Sequence, residues 1–112
     1  VTERMTMSDQ IAVNAALALV LTVVPDAGRE RMHLDILRLE AARMREGRPL
    51  FDPFIAAAKE LVEADSGVGR RRGDWSSAMW RMKDALVRIV EWRLGEAQEV
   101  MRSSTHTREE AA

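Results

Sequence analysis

The sequence predicts an all-α protein, a four-helix bundle with a long C-terminal helix and a mobile tail. Three observations lead there. Apolar residues recur at three- and four-residue steps in several segments, and no segment of useful length alternates as a strand does. Aromatic residues are only 4% of the chain, with no Tyr and two Phe, which is thin for β-sheets. With 112 residues, 46% of them hydrophobic, the chain has one domain's worth of core-forming sequence. A helical bundle is expected over residues 1–103 and a disordered tail over 104–112.

The first helix is expected from about Ser8 to Val24. Ser8 offers a cap, Asp9 suits the positive end of the helix dipole, and Pro25 ends the run. Its stretch Ile11–Val24 is apolar on nearly all sides. That is short of the ~20 residues a membrane span needs, and the residues before it lack the positive charge of a signal peptide. A central core helix, or one shared with a neighbouring subunit, is the simpler reading. Pro25-Asp26-Ala27-Gly28 reads as a turn.

The second helix is expected from about Arg29 to Glu46, with Met32, Ile36, Leu37, Leu39 and Met44 on one broad face and Gly47 as its C-terminal cap. Asp52-Pro53 opens the third, whose buried face is Phe54, Ile55, Ala58, Leu61 and Val62, and which ends before Ser66-Gly67. The segment Ser66-Gly67-Val68-Gly69-Arg70-Arg71-Arg72-Gly73 reads as a flexible, basic loop.

The fourth helix is expected from Asp74 or Ser76 to about Arg102, ~40 Å long at 1.5 Å per residue. It carries two apolar stripes. One is Trp75, Met79, Met82, Leu86, Ile89, Ala97 and Val100. The other is Trp80, Val87, Leu94 and Met101, spaced by sevens and placed about a quarter-turn round at ~100° per residue. Asp84 and Arg88 form an i,i+4 pair on its charged face.

Charge and composition narrow the chemistry. The chain has 17 basic and 18 acidic side chains and a net charge of −1, with fifteen Arg and only two Lys. Residues 29–48 and 70–102 are net basic and residues 52–66 net acidic, so the surface is dipolar. Absence of Cys removes disulfides, thiolate metal sites and cysteine nucleophiles, and fits a cytoplasmic protein. Glu30-Arg31-Met32-His33 has the Glu-x-x-His spacing of diiron bundles, but one copy is too few, and His33 reads as an ordinary partly buried or surface histidine. Ser76, Ser77 and Asp74 read as helix-cap chemistry. No enzyme, metal, cofactor or small-molecule substrate is expected.

Two features point to partners. Arg70, Arg71 and Arg72 sit on a glycine-rich loop at the positive end of a helix, an arrangement that attracts phosphates. The plain alternative is a solvated surface loop, or pairing with Glu60, Glu63 or Asp65. Arg43, Arg45 and Arg48 form a second basic group, which could extend the first into a track for a nucleic-acid backbone. The stronger feature is the apolar surplus: Trp80, Val87, Leu94 and Met101 exceed what one bundle core requires and suit a partner surface, although a long helix packed between two neighbours of its own chain would use them too.

A compact helical chain with the clusters Arg43-to-Arg48 and Arg70-Arg71-Arg72 and an apolar docking surface resembles the small helical subunits of multi-subunit CRISPR effector complexes, by size, helicity and charge layout over residues 8–102. The resemblance implies a non-enzymatic bundle that stacks in several copies within an antiviral nucleoprotein and supports guide RNA and target strand through backbone contacts. The alternative is a self-associating or partner-binding helical protein, of phage structural, regulatory or inhibitor type, without nucleic acid.

Overall fold

The computed structural model describes residues 4–24, 26–65 and 72–111, with side chains over 4–24, 26–65 and 74–103. Its described residues form four helices and no strand: α1 (Met7–Leu21), α2 (Ala27–Arg43), α3 (Asp52–Asp65) and α4 (Arg72–Ala111). The helices pack as two hairpins, α1 on α2 and α3 on α4, joined across the bundle through α2 on α3 and α1 on α4. This is the all-α four-helix bundle with a long C-terminal helix that the sequence predicts.

Local chemistry sets the ends. Thr6, not Ser8, caps α1: its hydroxyl accepts from the Asp9 backbone N–H at 3.1 Å, and the Asp9 carboxylate accepts from the Thr6 N–H at 2.8 Å. Each side chain satisfies a donor that the first turn leaves open. The helix stops at Leu21, short of Val24, where the Thr22 hydroxyl turns back onto the Ala18 carbonyl. Asp26 caps α2 by accepting from the Arg29 N–H at 3.1 Å.

The second helix ends at Arg43, earlier than Glu46, because Met44 takes an extended conformation. Gly47 is therefore not the helix cap but a bend in the linker, with a positive φ of 86° that favours glycine. Its N–H donates to Asp52 Oδ1 at 2.9 Å, tying the bend to the first residue of α3. Past Arg102, α4 continues as helix to Ala111, where the sequence placed the start of a tail. No Pro or Gly interrupts 103–111, so nothing in the chain breaks the helix there.

The core is one cluster. Phe51, Phe54, Leu37, Leu61, Met82, Ile89 and Val13 are its largest fully buried apolar side chains. Ala12, Ala15 and Ala16 of α1 and Ala57 and Ala58 of α3 are buried among them, small enough to let the helices approach closely. α1 buries one side only, leaving Met7 and Leu21 exposed despite its nearly uniform apolarity. On α2 the buried residues are Leu34, Leu37 and Ala41, with Met44 just beyond, whereas the expected Met32 and Leu39 are exposed and Ile36 is half-buried. α3 buries Phe54, Ile55, Ala58 and Leu61 as expected, with Val62 half-buried. No described helix is long and apolar enough to cross a membrane.

Candidate functional site

Two sides of α4 behave differently, and alanines decide which is which. Ala78, Met82, Ala85 and Ile89 are buried at three- and four-residue steps, with Trp75, Met79 and Trp92 packed partly against the core. At ~100° per residue their centre lies nearly opposite the stripe of Trp80, Val87, Leu94 and Met101 rather than a quarter-turn away. Those four residues are correspondingly 65%, 53%, 58% and 69% exposed. Val90 beside them is exposed as well. Among the described residues no second neighbour of the same chain covers this stripe.

The helix also outruns the bundle. From Arg93 to Ser103 every side chain is exposed, including Ala97 and Val100, which the sequence placed on the core stripe. Helical backbone from 93 to 111 corresponds to ~28 Å at 1.5 Å per residue. It accounts for the elongated shape of the molecule, 64 × 33 × 21 Å. Lys83 Nζ lies 4.7 Å from the centre of the Trp80 ring, a cation–π contact that caps the bundle end of the stripe. The expected Asp84–Arg88 ion pair is not among those formed by the described residues.

The six arginines expected to meet phosphates separate. Arg43 is exposed and pairs with Glu40 at 3.4 Å. Arg45 is exposed, and its carbonyl accepts from Arg48 Nε at 2.9 Å. Arg48, expected at the surface, is only 4% exposed and serves the core instead. Its two terminal nitrogens donate to the two oxygens of Asp9 at 2.7 and 2.8 Å, and its guanidinium stacks 4.2 Å from the Phe51 ring centre. Phe51 in turn meets Trp92 edge-on, ring centres 6.2 Å apart. A guanidinium so enclosed has no face left for a nucleic-acid backbone. Arg70 and Arg71 lie outside the described residues, and Arg72 is described only as backbone at the start of α4. Of the carboxylates expected as their partners, Glu60 pairs with Arg81 at 2.6 Å and Asp65 with Arg31 at 2.7 Å.

Asp9 is the group that sequence reasoning missed. It is fully buried, and burial alone pushes its carboxyl pKa up. The Arg48 hydrogen bonds and charge, with the bonds from Thr6, outweigh that and hold it below its ordinary value of 3.8. The Thr6-x-x-Asp9 spacing was a readable capping signal; its partner thirty-nine residues away was not. Glu30 and His33 share a shallow depression with Leu21, Val23 and Val24. No group of three His, Cys, Asp or Glu side chains able to hold a metal occurs among the described residues.

No family model matches the chain, and no curated protein or solved structure is similar enough to count as a match.

Proposed function

We propose that this protein is a non-enzymatic helical docking module, a subunit that joins protein neighbours through the outer face of α4. One observation carries the reading: Trp80, Val87, Leu94 and Met101 share the side of α4 that faces away from the core, and all four are more than half exposed. A contiguous row of large apolar side chains in water is costly unless a partner covers it, and such patches mark interaction surfaces. Each would remove apolar area from water at ~25 cal/mol per Å² on docking, before the costs of association. A cytoplasmic setting suits a chain without cysteine.

The nucleoprotein form of this reading keeps Arg43 and Arg45, with Arg70, Arg71 and Arg72, as phosphate contacts and gives up Arg48. Protein docking is favoured over it because the apolar row is exposed along one face of α4, while Arg48 of the second basic group is buried against Asp9.

In-cell photo-cross-linking tests the proposal. A photoreactive phenylalanine analogue replaces Leu94 or Met101, and Gln10 on the exposed side of α1 serves as control. Protein adducts at 94 and 101 but not at 10 are expected. Absence of adducts at both α4 positions, or adducts to nucleic acid only, would contradict it.

A further inference from the structure

We infer that the buried Asp9–Arg48 pair sets the height of α1 in the bundle, choosing between two registers three residues apart that the apolar core by itself would accept. This is independent of the docking role of α4.

The buried side of α1 repeats itself. Ala12, Val13, Ala15, Ala16 and Leu19 form it with Asp9, the one charged residue between Met7 and Leu21. A shift of α1 by three residues is ~4.5 Å along its axis with a turn of ~60°. It places Ala15 on the site of Ala12 and Ala18 on that of Ala15. Ala16 replaces Val13, Leu19 replaces Ala16 and Thr22 replaces Leu19, so the buried volume is nearly conserved, the change that cores tolerate best. The Thr22 hydroxyl is already bonded to the Ala18 carbonyl. Gln10 and Asn14 do not oppose the move, because they pass to the exposed site of Met7 and the half-buried site of Ile11. Nor does the connection to α2, since residues 22–26 can span ~17 Å when extended.

Asp9 breaks the tie. After the shift Ala12 would stand at its site, and Arg48 would keep a buried charge without the Asp9 carboxylate, a cost that outweighs the apolar exchanges. Arg48 is a fixed post. Its Nε donates to the Arg45 carbonyl at 2.9 Å, and its guanidinium lies on the Phe51 ring. Its own carbonyl accepts from the N–H groups of Phe51 and Asp52 at 3.1 and 2.8 Å, where α3 begins. Asp9 is held as firmly within α1 by the hydrogen bonds it exchanges with Thr6. Two parallel bonds, from both terminal nitrogens of Arg48 to both oxygens of Asp9, leave little freedom along the helix axis. A polar contact buried among apolar ones sets register in coiled coils by the same logic.

Moving the acid tests this. Asn14→Cys in α1 and Ala56→Cys in α3 are exposed positions in a chain that has no other cysteine, and spin labels on them report the distance between the helices. With Asp9 and Arg48 in place, one distance is expected. Asp9→Ala combined with Ala12→Asp carries the acid three residues along α1. It is expected to give one distance again, displaced by as much as ~4.5 Å, because α1 slides until position 12 meets Arg48. Asp9→Leu with Arg48→Met removes the key. It is expected to keep the wild-type circular dichroism spectrum while the distance peak and the α1 amide resonances each split in two. The wild-type distance in the relocated-acid variant, or failure of that variant to fold, overturns the inference. So does a single set of wild-type distances and resonances in the apolar variant, or its failure to fold.

Discussion

Asp9 and Arg48 show how a residue's environment, more than its type, sets its role. Removing two charges from water is expensive, and the cost is met here by a two-point hydrogen-bonded pair, a backbone carbonyl, an aromatic face and a helix cap. Breaking one half leaves the other buried and uncompensated. Asp9→Ala or Arg48→Ala should each cost about 3–5 kcal/mol in chemical denaturation, and the apolar pair Asp9→Leu with Arg48→Met should cost much less than the sum. The same pair fixes the response to acid. The folded carboxyl of Asp9 titrates below its ordinary 3.8, so unfolded chains take up its proton first as pH falls. Its contribution is complete above the unfolded value and is lost as pH drops through the lower folded one. Acid titration of stability should show this loss below about pH 4 in the wild type. Asp9→Asn should lack that component. Arg48 was legible as basic but not as buried, because sequence spacing cannot pair residues from α1 and the α2–α3 linker. The stripe of Trp80, Val87, Leu94 and Met101 was legible, because its members lie on one helix and the helical period alone brings them together.

Helix identity could be read from the sequence, and helix ends only partly. Asp52-Pro53 opened α3 as expected, and its described residues run to Asp65. Thr6 won over Ser8 at α1 because Asp9 answers it three residues on, a reciprocal arrangement that Ser8 with Ile11 cannot make. Thr6→Ala should cost about 1 kcal/mol. Two glycines, Gly47 and Gly95, make opposite predictions. A side chain at Gly47 meets nothing within 4 Å, yet the positive φ disfavours it, so Gly47→Ala should destabilise by about 1 kcal/mol. Gly95 lies in the projecting half of α4, also with nothing within 4 Å and with ordinary helical backbone. Gly95→Ala should stabilise that half by up to about 1 kcal/mol and raise its helicity, read by circular dichroism and amide hydrogen exchange. The extension of α4 past Arg102 was hidden because polar residues without apolar period give no helix signal, even where nothing forbids a helix.

At the scale of the whole molecule, α4 divides the work: one side closes the core and the other, prolonged beyond the bundle, faces water with an apolar row. Two stripes were visible in the sequence. Their angular relation was not, because Ala78 and Ala85, too small to stand out as core residues, pull the buried arc round the helix. Apolar periodicity at helical steps made the fold class legible, whereas partner identity depends on surfaces that one chain does not contain. If the outer face is surplus to the fold, changing it must leave the stability of the purified chain almost untouched. Thermal unfolding of the wild type and of Leu94→Glu in dilute solution tests this most directly. The account predicts a Leu94→Glu Tm that meets the wild-type value. Leu94→Glu unfolding at markedly lower temperature even when dilute would contradict it.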